Sequence, residues 1–312
     1  MKVLVTGVKG QLGHDCMNEL IKRNHEAIGV DIEEMDITDA TSVKNVLTKV
    51  KPDAVIHCAA WTAVDAAEDE ANREKVQLVN VVGTENIANV CKELHCKMMY
   101  ISTDYVFDGQ GTAPWQPDCK DYKPLNVYGE TKLAGELAVS QTLDNYFIVR
   151  IAWVFGKNGN NFIKTMLNVG KKVTELKVVN DQIGTPTYTF DLARLMIDMI
   201  ETDKYGYYHA TNEGGYISWY DFAKEIFRQA VALGHDEYGE ERLNVVPVST
   251  EEYGVSKAAR PFNSRLDKGK LRVEGFERLP EWGDAVGRYM DCLLYTSPSP
   301  RDQRGSRMPS SA

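Results

Sequence analysis

The first half of the chain alternates apolar runs of strand length with amphipathic segments of helical length. The runs are continuously apolar, which is typical of strands buried on both faces of a sheet. This alternation predicts an α/β fold with a doubly wound parallel sheet and helices on both faces. The predicted strands are 2–7, 26–31, 54–60, 98–103 and 146–156, and the predicted helices are 11–23, 40–50, about 72–95 and about 127–141.

A glycine-rich turn follows the first predicted strand. In "VTGVKGQLG", Gly7, Gly10 and Gly13 separate that strand from the first predicted helix. Glycine permits a tight turn and lets backbone N–H groups approach a pyrophosphate, and the helix N-terminus adds its partial positive charge. Asp31 closes the second strand, 18 residues after Gly13; a carboxylate there can bind an adenosine ribose and repels the 2′-phosphate of NADP. The pattern favours a Rossmann-type NAD(P) site, the alternative being an ordinary glycine turn beside a solvated aspartate.

The regularity falls after about residue 155, and this suggests a division of the chain. We predict an NAD(P)-binding Rossmann domain at 1–155, with later segments returning to it, and a smaller lobe, mainly for substrate binding, at 156–292. Residues 293–312 are rich in serine, proline and arginine and have no apolar period. We therefore predict a disordered, non-native tail there, with a genuine basic tail as the alternative.

Charge and composition exclude several classes of function. The chain of 312 residues has a net charge of −9 and a pI near 5.3, which argues against nucleic acid or an anionic membrane as a partner. No apolar run approaches the roughly 18–20 residues of a membrane span. The six cysteines form no CxxC pair and the histidines form no HExxH motif, so we predict reduced thiols in a cytoplasmic protein and no metal-hydrolase site.

Tyr128 and Lys132 lie four residues apart in a predicted helix and therefore share one of its faces. A free phenol has a pKa of about 10, too high for ready proton exchange at neutral pH. A fixed ammonium, together with the positive charge of an oxidised nicotinamide, is expected to lower that pKa. The tyrosine would then be a general acid for a carbonyl that receives a hydride, and the lysine could also bind the ribose hydroxyls of the cofactor.

The same spacing recurs at Tyr220–Lys224 and Tyr253–Lys257, so spacing alone is not evidence. The first pair differs because a buried strand ends at Thr103, roughly 25 residues upstream of Tyr128. That strand would be the fourth of the sheet, with its end at the same crevice as the glycine turn. We interpret the first pair as a reaction centre and the other two as packing or surface residues.

Seven blocks of sequence resemble the dTDP-4-dehydrorhamnose reductase family, a branch of the extended short-chain dehydrogenase/reductases. They occur in order between Met1 and about Asp291. The blocks are "GVKGQLG", "CAAWTAVDAAE", "ISTDYVFDG", "PLNVYGETKLAGE", "RIAWVFGKNGNNFIKTML", "VVNDQIGTPT" and "RPFNSRLDKGKL".

The resemblance implies a role for individual residues. The implied cofactor contacts are Gly10, Gln11 and Leu12 at the phosphates, Asp31 at the adenosine ribose, Asp36 and Ile37 at the adenine, Ala60, Trp61 and Thr62 after the third strand, and Ile101 and Lys132 at the nicotinamide. The implied catalytic set is Thr103, Tyr128 and Lys132, and the implied substrate contacts are Thr103, Asp104, Tyr128 and Trp153. Without the resemblance, Trp153 would be assigned to the core.

The activity implied is reduction of the C4 ketone of dTDP-4-dehydro-L-rhamnose by NADH or NADPH, which yields dTDP-L-rhamnose for cell-surface polysaccharide. Two alternatives stay open. One is a non-catalytic dinucleotide-binding regulatory subunit of the methionine adenosyltransferase type. The other is an NAD-retaining nucleotide-sugar epimerase or dehydratase, although a dehydratase would be expected to have an acid pair after Thr103, and here only Asp104 follows.

Two further features concern charged ligands. Some members of the family are dimers joined through magnesium held by acidic side chains; here Asp15 and Asp191 correspond, but Phe190 stands where another acid is expected. Because a phenyl ring cannot bind magnesium, we expect no bound metal, and both a monomer and a homodimer stay open. Arg260 and Arg265 suit the phosphates of a nucleotide sugar or, alternatively, a solvated loop, and we leave them outside the predicted site.

Overall fold

The computed structural model describes residues 1–254 and 256–294. Of the predicted disordered tail, Leu293 and Leu294 instead end the helix Trp282–Leu294, and the rest lies outside the described residues. No helix in these ranges is long and apolar enough to cross a membrane. The strands are β1 Lys2–Thr6, β2 Glu26–Val30, β3 Ala54–His57, β4 Lys97–Thr103, β5 Tyr146–Ile151, β6 Val154–Phe155, β7 Glu175–Val179, β8 Ile183–Gly184, β9 Thr187–Tyr188, β10 Gly206–His209, β11 Ile217–Ser218 and β12 Asn244–Val248.

The α-helices are α1 Gln11–Lys22, α2 Ala40–Val50, α3 Val64–Ala67, α4 Glu70–Gln77, α5 Gly83–Leu94, α6 Val127–Thr142, α7 Phe162–Gly170, α8 Thr189–Ile200, α9 Trp219–Ala232, α10 Thr250–Tyr253, α11 Gly269–Val273 and α12 Trp282–Leu294. A π-helical turn, Leu78–Val82, joins α4 to α5, and short 3-10 turns lie at Asp104–Val106 and Asp236–Tyr238.

A six-stranded parallel sheet forms the centre of the molecule, in the order β10-β5-β4-β3-β1-β2. β1 pairs with β2 on one side and with β3 on the other, so that Val3 lies opposite Ala27 and Ala54. The strand that follows β1 in the chain is thus added on one side of it, and β3 and the later strands are added on the other. At such a switch point a crevice opens at the carboxyl ends of β1 and β3. The predicted α/β fold with a doubly wound parallel sheet is confirmed.

Helices cover both faces of the sheet because each has one apolar stripe. On α1 the stripe is Leu12, Cys16 and Leu20, which pack with α8 against β1, β3 and β4. The opposite face is covered by α2, α5 and α6. Asp39 begins α2 as its N-cap, since its carboxylate accepts a hydrogen bond of 2.8 Å from the backbone N–H of Thr41.

A separate apolar cluster lies in the later part of the chain, built mainly from α7, α9 and α12. Ser218 begins α9 with a capping box, in which its side chain and that of Asp221 each bond the other's backbone N–H. By contrast α8, β10 and α11 contribute to the cluster of the main sheet. The later half of the chain therefore supplies both a second core and additional cover for the first.

Two predicted elements are interrupted in the structure. The expected strand 146–156 ends at Ile151, because Trp153 has a φ of 52° and turns the chain before it continues as β6 beside β9. A left-handed backbone at a bulky residue is uncommon and usually marks a site under constraint. The expected helix 72–95 is divided by the π-helical turn, a feature frequent at functional sites. Both interruptions lie beside the crevice.

Candidate active site

The glycine turn is closed by hydrogen bonds and by close backbone contacts. Gly7 has a φ of 68°, and its N–H donates to the carbonyl oxygen of Val30 at 3.0 Å. A Cβ atom on Gly13 would lie 2.4 Å from the carbonyl oxygen of Gly7, so only glycine lets α1 begin this close to the turn. No side chain caps the N-terminus of α1, and its first N–H groups face the crevice.

The acid at the end of β2 is fixed by backbone donors. One carboxylate oxygen of Asp31 accepts from the N–H of Lys9 at 3.1 Å and the other from its neighbour Ile32 at 3.0 Å. Further along the chain, Asp36 accepts from the backbone and the hydroxyl of Thr38 at 2.9 and 2.8 Å. These contacts orient both carboxylates at the same end of the crevice as the glycine turn.

The loop after β3 is held from below by a side chain of the π-helical turn. The amide oxygen of Asn80 accepts from the N–H of Trp61 at 2.8 Å, and its amide nitrogen donates to the hydroxyl of Thr131 at 3.0 Å. Asn80 is 1% exposed, so this link between the loop and α6 is internal. The indole of Trp61 donates to the carbonyl oxygen of Ala63 at 3.1 Å, and its side chain does not line the cavity.

The four residues of the predicted reaction centre and substrate contact come together. α6 begins with Asn126 as its N-cap, which places Tyr128 and Lys132 on its first turns. Thr103 ends β4, and its hydroxyl donates to the carboxylate of the adjacent Asp104 at 3.0 Å. All four side chains line the same cavity as the glycine turn.

The electrostatics of Tyr128 differ from the sequence prediction. Burial, reinforced by the negative charge of Asp104, raises the pKa of the phenol well above its usual value, and hydrogen bonding with Thr103 opposes this only partly. The lowering expected from the lysine and an oxidised nicotinamide is not found in the protein alone, because burial and the charge of Asp104 dominate the environment of the phenol. The consequence is a phenol that keeps its proton at neutral pH.

Lys132 is almost fully buried, at 3% exposure. Its ammonium donates to the carbonyl oxygen of Ile101 at 2.7 Å and lies 4.1 Å from the centre of the Tyr100 ring. Burial lowers the pKa of Lys132 to about 7, although Glu136 opposes the shift. Beneath it, burial and the nearby lysine charge lower the pKa of His57 to about 3, so this imidazole is neutral.

Asp104 presents an unusual carboxylate to the cavity. The residue is 2% exposed, and its second oxygen, Oδ2, has no hydrogen-bond partner among the described residues. Burial raises the pKa of Asp104 to about 6, although contacts with Ser264 and Thr103 oppose the shift. A buried polar atom without a partner is costly and suggests a ligand group that completes it.

Trp153 forms one wall of the cavity together with Trp219. The two indole rings are stacked, with centroids 3.7 Å apart and planes 16° from parallel. A Cβ atom on Gly184 would meet Trp153 at 2.9 Å, so the strained tryptophan is held from both sides. The wall is apolar and flat, which suits the face of a sugar ring or a base.

The cavity formed by these parts has a volume of about 810 Å³. It lies at the carboxyl ends of β1, β3, β4 and β5. Every residue of the predicted site lines it except Trp61: Gly7, Gly10, Gln11, Leu12, Gly13, Asp31, Asp36, Ile37, Ala60, Thr62, Ile101, Thr103, Asp104, Tyr128, Lys132 and Trp153.

Sequence reasoning missed several residues of the site. Lys9, Cys58 and Trp219 line the cavity, and Asn80 supports it from beneath. Lys9 lies inside the glycine motif and could have been proposed from its position, since a cation near a phosphate turn is an expected feature. Trp219 is distant in sequence, and nothing local marks it.

The control pairs of the sequence prediction lie elsewhere. Neither Tyr220 nor Tyr253 lines the cavity; the latter is 61% exposed, and its partner Lys257 pairs with Asp69 at 2.6 Å. Arg260 forms an ion pair with Asp65 at 2.7 Å, and Arg265 donates to Asn263 at 3.0 Å. Neither arginine lines the cavity.

The acids considered for magnesium have protein partners. Asp191 accepts from Arg288 at 2.8 and 2.7 Å and from Asn212 at 2.9 Å, and Asp15 accepts from Thr189 at 2.5 Å. Within residues 1–254 and 256–294 no group of three histidine, cysteine or acidic side chains could hold a metal ion.

The chain is similar to known proteins over nearly its whole length. Residues 1–294 match the family described as the RmlD substrate binding domain. A dTDP-4-dehydrorhamnose reductase from Aggregatibacter actinomycetemcomitans is 38% identical over 296 residues, covering 91% of this chain and 97% of that protein.

Two solved structures agree with this result. A dTDP-4-dehydrorhamnose reductase from Clostridium acetobutylicum is 41% identical with a TM-score of 0.87, over 94% of this chain and 99% of that one. The enzyme of the same name from Bacillus anthracis, solved in complex with NADP, is 40% identical with a TM-score of 0.84, over 93% and 99%. The chain therefore belongs to the RmlD substrate binding domain family, together with these dTDP-4-dehydrorhamnose reductases.

Proposed function

We propose that this protein reduces the C4 ketone of dTDP-4-dehydro-L-rhamnose to dTDP-L-rhamnose with NADH or NADPH. The observation that supports it best is that Thr103, Asp104, Tyr128 and Lys132 line one cavity with the glycine turn of β1 and α1. One cofactor molecule and one substrate molecule, bound side by side, could therefore contact the proton donor, the buried cation and the phosphate-binding turn. The identity of the sugar nucleotide is inferred from the names of the related enzymes.

The residues of the cavity fit a dinucleotide. A Cβ atom at Gly7 would lie 2.8 Å from the backbone of Ala59, and one at Gly13 would collide with the turn itself. The glycines therefore keep a backbone-lined cradle open, beside unused N–H groups of α1. The phosphates would bind at Gly10, Gln11 and Leu12, and the adenosine ribose at Asp31.

When bound, the reduced nicotinamide supplies the hydride that is added to the ketone carbon. Tyr128 holds the proton that the ketone oxygen requires, and its raised pKa keeps that proton on the phenol until the oxygen becomes basic. Lys132 stabilises the phenolate left behind, and Thr103 donates a hydrogen bond that polarises the carbonyl.

Asp104 and Trp153 orient the sugar. The unpartnered Oδ2 atom of Asp104 accepts a hydrogen bond from a sugar hydroxyl, which satisfies an otherwise costly buried oxygen. Trp153, stacked on Trp219, packs against the face of the substrate. A ring held between a directional acceptor and a flat wall presents one face of its ketone to the cofactor.

The two apolar cores correspond to two proposed roles, cofactor binding and substrate binding. Residues 1–155, with α8, β10 and α11 returning to their core, bind the dinucleotide, and residues 156–292 mainly form the substrate lobe. None of the six cysteines lies in a disulfide, in keeping with a cytoplasmic enzyme. The partners are the dTDP-sugar and the cofactor, with no nucleic acid.

The alternatives are separated by one assay. Purified protein is mixed with NADPH or NADH and dTDP-4-dehydro-L-rhamnose, and cofactor absorbance and sugar product are followed together. We expect one cofactor oxidised for each dTDP-L-rhamnose formed. A cofactor that stays bound and unchanged while the sugar is altered would favour an epimerase or dehydratase, and binding without any reaction would favour a regulatory subunit.

A further inference from the structure

Among the described residues, a single cationic side chain lines the end of the cavity where the adenosine ribose would bind. Lys9 and Lys132 are the lysines among the described residues that line the cavity, and no arginine lines it. Lys132 is buried at the catalytic end, whereas Lys9 is exposed on the glycine turn beside Asp31. Any cationic contact with a group on the adenosine ribose therefore falls to Lys9.

The ammonium of Lys9 is already paired. It forms an ion pair with Glu33, two residues beyond Asp31, and the two side chains are 62% and 61% exposed. Asp31 accepts from the backbone of Lys9 at 3.1 Å, and Glu34 accepts from the backbone of Asp31 at 2.9 Å. All three carboxylates lie close enough to raise the pKa of the Lys9 ammonium, and Glu33 is the one that bonds it directly.

NADP differs from NAD by a 2′-phosphate on this ribose, which is doubly charged near neutral pH. The carboxylate of Asp31 repels that phosphate, and the ammonium of Lys9 attracts it if it is released from Glu33. An exposed ion pair is weak and screened by salt. Exchange of the Glu33 carboxylate for the phosphate is therefore inexpensive.

We propose that the Lys9–Glu33 ion pair sets the preference between NADH and NADPH, with Glu33 competing against the 2′-phosphate for Lys9. Glu33 is a positioning residue, since it acts on the cofactor through the lysine. The inference rests on the proposed function only in taking this cavity as the NAD(P) site. It provides a route by which a chain with an acid at the end of β2 could bind NADPH.

The test is calorimetric binding to the full chain, which needs no turnover. The probes are NADH and NADPH, and the fragments adenosine 5′-phosphate and adenosine 2′,5′-bisphosphate. For each pair of probes we compare the affinity for the 2′-phosphorylated ligand with that for the unphosphorylated one. We expect Glu33→Gln to raise this ratio by about two- to fivefold, the range that an exposed ion pair allows. Lys9→Met should shift the same ratio in the opposite direction.

Two controls show whether the effect passes through Lys9. Glu93→Gln removes the same charge from the exposed Lys44–Glu93 pair, 3.0 Å apart and outside the cavity, and should leave the ratio unchanged. In the double variant Lys9→Met with Glu33→Gln, the gain from Glu33→Gln should disappear. An equal gain in Glu93→Gln, or a gain that survives in the double variant, would overturn the inference.

The outcomes also separate this inference from the proposed function. If unaltered protein fails to bind both NADH and adenosine 5′-phosphate, the cofactor site itself is wrong and the reductase proposal fails with it. If both bind and the ratio does not move in Glu33→Gln or Lys9→Met, only the role of the ion pair is refuted.

Discussion

Tyr128 is the residue on which the proposed chemistry depends most directly. Its phenol is kept neutral by burial and by Asp104, which is the state a proton donor needs. Replacing Tyr128 with Phe keeps the ring and removes the proton, so we expect turnover to fall by about 10²- to 10⁴-fold while NADPH affinity changes little. Steady-state kinetics and calorimetric binding measure the two quantities.

Tyr220→Phe is the matched control, because Tyr220 also precedes a lysine by four residues but does not line the cavity. It should retain wild-type turnover within about twofold. Near-normal turnover in Tyr128→Phe would remove this phenol from the mechanism.

Lys132 gives the reaction a predicted pH dependence. Its pKa is lowered from 10.5 to about 7, so the ammonium is charged below that pH and neutral above it. Because the phenolate of Tyr128 requires the charge, kcat/KM measured with subsaturating cofactor should fall as pH rises through about 7. A flat profile from about pH 6 to about pH 9 would contradict this. In Lys132→Arg, whose side chain stays charged, kcat/KM should no longer fall above about pH 7.

At this scale the motif residues were predictable and the contacts between distant segments were not. Gly13, Thr103 and Tyr128 lie in short patterns whose spacing has a local meaning. Trp219 reaches the cavity only because the start of α9 packs on Trp153 in the turn after β5, which no local pattern reveals. The sequence also did not reveal that the pKa of Tyr128 is raised in the protein alone, because burial can be evaluated only in three dimensions.

Helix α6 is held to the sheet by an ion pair that is fully buried. Arg150 on β5 bonds Glu136 with both Nε and Nη2 at 2.8 Å, and both side chains are 0% exposed. Glu136→Gln would leave the guanidinium buried without its counter-charge. We expect the free energy of unfolding to fall by about 3 kcal/mol in urea denaturation.

Glu130→Gln on the exposed side of the same helix is the control for that change. It should alter the free energy of unfolding by less than about 0.5 kcal/mol. Equal effects of the two substitutions would show that the buried pair does not stabilise α6.

The positions of the helices and strands near the nucleotide turn followed closely from the apolar pattern. The interruptions did not: Trp153 continues an apolar run that reads as one strand, and the π-helical turn lies within an unbroken helical period. Both depend on tertiary contacts, with Trp219 and with the loop after β3, that override local preference.

For the whole molecule, the absence of a magnesium link is a prediction about assembly. Asp191 is occupied by Arg288 and Asn212, and Phe190 is 43% exposed beside it. We expect the molar mass in analytical ultracentrifugation to be the same in Mg²⁺ and in EDTA, whether the protein is a monomer or a dimer. A mass that halves on chelation would show that metal joins the subunits.

Strand–helix alternation and right-handed crossovers imply a doubly wound parallel sheet, but more than one strand order satisfies them. The return of α8, β10 and α11 to the main core was expected only in general terms, because their sequence patterns do not say which apolar face they cover. Long-range partners of this kind are fixed by packing.

The stacked indoles of Trp153 and Trp219 join the turn after β5 of the main sheet to α9 of the second core. Rings this close couple their electronic transitions, so the pair has a circular dichroism signature that depends on its geometry. Since one of the rings is held in a strained backbone conformation at the cavity wall, a ligand that displaces it alters that signature. A change in that spectrum would therefore report occupancy of the cavity, because the stacked pair lies where the main sheet meets the second core.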